Sequence, residues 1–104
     1  GDAPVRACVG LERFGDAALL RSLCVEEASR GAGLGEAALE AIERHARASG
    51  VRQIFLLTTT ATDFFRRRGY VPMERLTVPA AIQATTEFAS LCPASAACLH
   101  KELR

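Results

Sequence analysis

The sequence predicts an α+β (mixed α/β) domain, a mixed central sheet with flanking helices, and three stretches point to it. Two apolar strand patterns separated by Gly15-Asp16 read as an antiparallel hairpin. A glycine-rich bend from Arg30 to Gly35 then feeds a long amphipathic helix pattern. After it comes QIFLLTT, a continuous apolar run that fits a strand buried on both faces. Strand, crossover helix and strand in that order make a βαβ unit, so the sheet mixes parallel and antiparallel pairs.

The elements follow in order. Gly1–Pro4 reads as a turn. Val5–Phe14 alternates, with Val5, Ala7, Val9 and Leu11 on one face and Glu12 on the other, as a strand with one buried face does. Ala18–Val25 is the second strand. Leu34–Ser49 is the longest helix: Leu34, Ala38, Ile42 and His45 recur at helical spacing, and Leu39 and Ala46 widen the stripe. Glu40/Arg44 and Glu43/Arg47 read as ion pairs four residues apart on its outer face, and Gly50 as its C-terminal cap.

Gln53–Thr59 is the central strand. Thr60–Arg68 reads as a short helix capped by Thr60 or Thr62 and stopped by Gly69. Tyr70–Val78 is expected to be a strand, Pro79–Phe88 a short helix with Pro79 at its first position, and Ser95–Leu103 the last strand. The 104 residues suffice for one domain and one core, so 1–104 is read as a single domain.

Composition excludes several classes. A formal net charge of +1 implies no strong attraction to nucleic acid or anionic membranes, and no apolar run reaches spanning length. No secretory signal pattern is present, so the protein is expected to be cytoplasmic with its four cysteines reduced. Cys92 and Cys98 lack a zinc-type spacing, and no metal site is expected.

The chemistry-bearing stretch is VEEASRGAGLG, Val25–Gly35. Glycine lets backbone approach a ligand closely, and the first N–H groups of a helix lack internal partners and are partly positive. A glycine-rich turn entering a helix is therefore a seat for an anion such as phosphate, to which Arg30 adds a charged fork. Neither GxxxxGK[ST] nor GxGxxG fits: no Lys follows Gly35, and no third glycine completes the second pattern.

What remains, Arg30-x-x-Gly33-x-Gly35 after a strand reading LRSLCV, resembles the GNAT superfamily of acyl-CoA-dependent N-acetyltransferases. GDAALLRSLCV, FLLTTTATDFFRRRGY and VPAAIQATTEFASLCPASAACL resemble its arsenic-resistance N-acetyltransferase (ArsN-type) branch, and the likeness covers essentially the whole chain. The resemblance implies the GNAT fold from its third strand onward. The strand, two helices and strand with which that fold normally begins are absent from these residues. The chain is then a fragment, or a partner chain supplies that surface. An exposed apolar face and a homodimer are expected.

The implied activity is acetyl transfer from acetyl-CoA, as cosubstrate, to the amine of a small molecule, an amino-acid-like arsenical or glutamate analogue in that branch. The alternative is a catalytically impaired protein that binds CoA or a metalloid. The resemblance places the pantetheine arm on main-chain groups of Cys24 and Val25, and the pyrophosphate on amides of Arg30, Gly31, Ala32, Gly33, Leu34 and Gly35. Thr59, at the end of the central strand, and Phe65 complete the cofactor contacts. The chain departs from the family pattern at two places: Thr58–Thr60 stands where many members carry Asn, and Phe65 where they carry a proton-donating Tyr. Tyr70, the chain's single tyrosine, is the candidate catalytic acid, at a position where the family usually has a packing residue. Glu12 and Glu87 are candidate bases, and Thr85, Thr86 and Ser90 candidate contacts to the acceptor. In Arg66–Arg68 most of the charge reads as a solvated helix end.

Overall fold

The structure, a computed structural model, describes residues 11–20, 32–59, 61–85, 88 and 96–103, with the backbone alone at 32–35 and 38. Strands β1 (Leu11–Phe14) and β2 (Ala17–Leu20) form a hairpin around Gly15, whose φ of 66° only glycine adopts without strain. Helix α1 (Ala32–Ala48) follows, then β3 (Gln53–Thr58), α2 (Thr62–Arg66) and β4 (Val71–Pro72). A 3-10 turn (Arg75–Thr77), α3 (Ala80–Gln83) and β5 (Ala97–Glu102) complete the chain. The expected mixed α/β architecture is present.

The five strands lie in the order β1-β2-β3-β5-β4. β2 and β3 are parallel, Ala17↔Gln53 to Leu20↔Leu56, with α1 in the crossover between them; the other neighbours are antiparallel. The α1 side of the sheet buries Leu39, Ile42 and Ala46 against Ala18, Leu20, Ile54, Leu56 and Leu99, with Phe65 and Tyr70 beside them. The opposite side buries Ala17, Leu19, Phe55 and Leu57 under Val78 and Ile82. Both faces of β2 and β3 are thus covered, which is why these strands read as unbroken apolar runs. Each fully buried Leu or Ile here contributes about 1.5–3 kcal/mol.

Several expectations need correction. Tyr70–Val78 is a strand only at Val71–Pro72: Met73 N–H adds one bond to the Cys98 carbonyl (2.9 Å), then the chain turns. Thr77 closes that turn by donating its hydroxyl to the Glu74 carbonyl (2.7 Å). Pro79 is the N-cap of α3 rather than its first residue, with ψ of 140°. The residue before it, Val78, is extended, as a following proline requires. Thr62 is the first residue of α2 rather than its cap, and Thr60 lies outside the described residues; Ala61 is the N-cap, and its N–H donates to Thr58 Oγ1 (2.9 Å). Gly50 and Gly69 do end their helices, at φ of 93° and 95°.

Glu43 is the largest surprise. It is buried at 7% exposure rather than paired with Arg47 on the outer face, while His45 is exposed. Among the described residues the large apolar side chains left exposed are Val71 and Leu76, on the β4 side of the sheet. No helix among the described residues is long and apolar enough to cross a membrane.

Candidate functional site

Because β2 and β3 are parallel, their C-terminal ends lie at one edge of the sheet. In open α/β sheets that edge is where ligands bind. The chain leaving β2 re-enters the described residues at Ala32, where α1 begins; the chain leaving β3 passes Thr58 and Thr59 and enters α2. Pairing of β2 with β3 runs to Leu20↔Leu56, and Leu57 and Thr58 continue with β5 alone among the described residues.

The backbone of Ala32, Gly33, Leu34 and Gly35 forms the first turn of α1, two residues earlier than the sequence pattern suggests. The N–H groups of that turn have no intrahelical acceptor and carry the positive end of the helix dipole. No acidic residue lies in the turn itself. This is a fitting cradle for a diphosphate. Arg30 and Gly31, Cys24 and Val25, and Thr86, Glu87 and Ser90 lie outside the described residues.

Glu12 is exposed on β1 opposite Leu19, one residue short of the β2 end, so the fold brings it to the same edge. Thr59 is exposed just past β3. Thr58, beside it, is buried, its hydroxyl oxygen accepting the Ala61 N–H. Thr85 is engaged locally, donating to the Ile82 carbonyl (2.7 Å) and accepting from Phe88 N–H (3.4 Å).

Phe65 and Tyr70 are brought together, but in the core. Phe65 is fully buried, edge-to-face with Phe64 (5.0 Å) and Tyr70 (5.3 Å). Val71 aligns with Phe55 through their common partner His100, so Tyr70 lies level with Ile54. At about 3.3 Å per residue that is roughly 13 Å below Thr58. The Tyr70 hydroxyl donates to Glu43 Oε2 (2.9 Å), and Lys101 Nζ donates to both Glu43 oxygens (3.0 and 3.2 Å). Glu43 sits eleven residues along α1, about 16 Å from the helix start at 1.5 Å per residue. The triad therefore bolts α1 to β5 and to the segment before β4, well away from the anion cradle. In Arg66–Arg68, Arg66 and Arg67 are exposed. Arg68 stacks on Phe64 (3.8 Å) and donates to its carbonyl (2.8 Å).

Burial first, then the charge and hydrogen bond of Glu43, push the Tyr70 hydroxyl well above its ordinary value of 10.0. The folded state holds this proton where the unfolded chain releases it. The corresponding stability is fully present below about pH 10 and is lost as pH rises beyond it. Tyr70→Phe is expected to cost about 1 kcal/mol at pH 7 and to flatten the fall in stability above pH 10. Denaturant melts at pH 7 to 11 check this; an undiminished fall above pH 10 would mean that Tyr70 is not the group responsible.

Glu43 escaped the sequence reading because charged residues at helical spacing signal a solvated face. Its only cue was Lys101, 58 positions away, which no periodicity links to it.

The Acetyltransferase (GNAT) domain family matches residues 1–72. An amino-acid acetyltransferase of Pseudomonas fluorescens (strain Pf0-1) is 40% identical over 77 residues, covering 72% of this chain and 18% of that protein. Its counterpart in Azotobacter vinelandii (strain DJ) is 39% identical over 82 residues, 77% of this chain and 19% of that one. The chain thus spans under a fifth of the length of these relatives. Among solved structures, N-acetylglutamate synthase of Neisseria gonorrhoeae, complexed with coenzyme A and N-acetyl-glutamate, superposes with a TM-score of 0.70 at 21% identity, over 90% of this chain and 22% of that one. Rv2747 of Mycobacterium tuberculosis, in complex with CoA, gives 0.69 at 24% identity, over 90% of this chain and 65% of that one. The strand order, the helix opening at the end of the parallel pair and the match over most of the sequence agree: the chain belongs to the GNAT acetyltransferase domain family.

Proposed function

We propose that this chain transfers an acetyl group from acetyl-CoA to the amine of a small amino acid. The observation that carries the reading is the start of α1 at Ala32, an acid-free helix N-terminus at the end of the parallel β2–β3 pair. The relatives named amino-acid acetyltransferase, and the synthase bound to coenzyme A and N-acetyl-glutamate, support the acceptor class and the cosubstrate. When bound, acetyl-CoA supplies the acetyl group as a thioester. The amides from Arg30 to Gly35 hold its diphosphate, main-chain groups of Cys24 and Val25 pair with its pantetheine arm, and Thr59 borders it. Phe65 acts from the core by fixing α2. Glu87 or Glu12 takes the amine proton, and Thr86 and Ser90 contact the acceptor. With Tyr70 far below the strand ends, water protonates the departing thiolate.

The test is release of free thiol from acetyl-CoA across a panel of amino acids that includes glutamate, its analogues and the arsenical analogues implied by the arsenic-resistance resemblance. Turnover with a carboxylated amine is expected. Binding of acetyl-CoA without turnover on any amine would instead support the impaired, ligand-binding reading, which the replacement of a phenol by Phe65 favours. A cytoplasmic location belongs to the same proposal. A homodimer would form through the edge that carries Val71 and Leu76, and sedimentation showing only monomer at every concentration would remove it.

A further inference from the structure

Cys98 and His100 stand two residues apart on β5, so both side chains leave the same face of the sheet. That face is the one turned away from α1. Cys98 belongs to its buried cluster, and the His100 ring stacks on Phe55 of the same cluster, with centroids 5.8 Å apart and 16° between the planes. The far side of β5 supplies a third member. Val71 pairs with His100 and Pro72 with Leu99, and the bond from Met73 N–H to the Cys98 carbonyl (2.9 Å) carries that register one residue further. Met73 is thus the cross-strand neighbour of Cys98, and it packs on the same cluster. Directly opposed residues on one face stand about 4.5–5.5 Å apart at Cβ, and diagonal ones about 7–8 Å. A thioether, a thiol and an imidazole are therefore gathered in one patch, a grouping to which no spacing along the chain points.

Met73 and Cys98 also line an open cleft of about 400 Å³ beside the 3-10 turn, through which a small ion reaches them. His100 Nδ1 is buried without a hydrogen-bond partner, a condition that buried polar atoms seldom keep. Among the described residues no group of three His, Cys, Asp or Glu side chains is placed to hold an ion, so the patch offers no cage to a hard cation. Two sulfurs and one imidazole are instead a donor set for a soft one: thiolate and thioether select Cu(I), and imidazole also suits copper. Burial pushes the Cys98 thiol up to about 11, with Arg75 pulling the other way, so an incoming ion must displace the proton itself. The S–H bond breaks, a sulfur–metal bond forms, and the proton passes to solvent. A monovalent ion then leaves a neutral metal–thiolate unit, which an apolar layer tolerates and Arg75 does not repel.

We infer that Met73, Cys98 and His100 form a binding site for a soft monovalent metal ion of the Cu(I) class. The inference does not depend on the acetyl-transfer reading. The chain has one methionine, so an isotope label on the methionine methyl group gives a single resonance, that of Met73. Ag(I), equally soft and stable in air, is the probe, added to the full chain with its thiols reduced. The Met73 signal is expected to move and to saturate within four equivalents, one for each cysteine. Zn(II) is expected to leave it in place. Cys98→Ala is expected to abolish the shift; where that variant does not fold, Cys98→Ser is read in the same way. His100→Phe keeps a ring on Phe55 and is expected to raise the Kd for Ag(I) about tenfold, read from the same signal against a competing chelator.

A Met73 signal still unmoved after four equivalents would overturn the site, and so would an equal shift in the Cys98 variants. An unchanged Kd in His100→Phe would remove the third donor and with it the three-residue site. A shift with Zn(II) as large as that with Ag(I) would overturn the assignment to a soft ion.

Discussion

Gly33→Asp is expected to weaken acetyl-CoA binding about 100-fold while leaving the protein as stable as before, or slightly more so. Gly33 is the second residue of α1, in a first turn that holds no acid. An added carboxylate there interacts well with the helix dipole and raises helix propensity relative to glycine, so the fold does not suffer. The same carboxylate occupies the amides and repels a diphosphate. Like-charge repulsion and lost amide contacts of about 3 kcal/mol correspond to roughly a hundredfold in Kd. Calorimetric titration with acetyl-CoA, paired with a thermal melt, reads both signs at once. Unchanged affinity would mean that the start of α1 is not the diphosphate seat, and the proposed activity would lose its main support.

The second large effect is on stability. Glu43→Ala is expected to cost about 2–3 kcal/mol and lower Tm by roughly 10–20 °C. It orphans the buried Tyr70 hydroxyl and takes the carboxylate from Lys101, whose side chain is 25% exposed and so turns partly to water. Tyr70→Phe is milder because Glu43 keeps Lys101. The triple change Glu43→Leu, Tyr70→Phe, Lys101→Met is expected to restore most of the loss, since a buried polar network replaced throughout by apolar groups leaves nothing unsatisfied. If Glu43→Ala melts within a few degrees of the parent, the triad is not the bolt between α1 and β5. Should acetyl-CoA affinity also fall in Glu43→Ala, α1 has shifted along its axis, which ties the bolt to the cradle it holds in place.

The local devices were legible because they depend on neighbours in sequence. Gly15, Gly50 and Gly69 each sit at the positive φ that ends a strand or a helix. The apolar run Gln53–Thr58 became the central strand, and the Leu39, Ile42, Ala46 stripe became the buried face of α1. The larger misreadings, of Glu43 and of Tyr70–Val78, share one cause, that the deciding partner is distant. Tyr70–Val78 has strand-like composition, yet it breaks off after Pro72 to form the turn that places Arg75 against Ala96, 21 positions on.

By itself, the amino-acid sequence determined that a glycine-rich stretch opens a long helix between two apolar strand patterns, and hence the family. Tertiary structure alone decided which charges are buried and which groups share the end of the sheet where the parallel strands finish. Glu43 is interior because β5 carries Lys101 beneath it, Tyr70 is remote from the strand ends because β4 is in register with the middle of β3, and Arg75 is held against the Ala96 carbonyl because β5 begins there. Periodicity reports how a residue relates to its own helix or strand. Burial of charge and the register of distant strands depend on groups brought together only when the sheet closes.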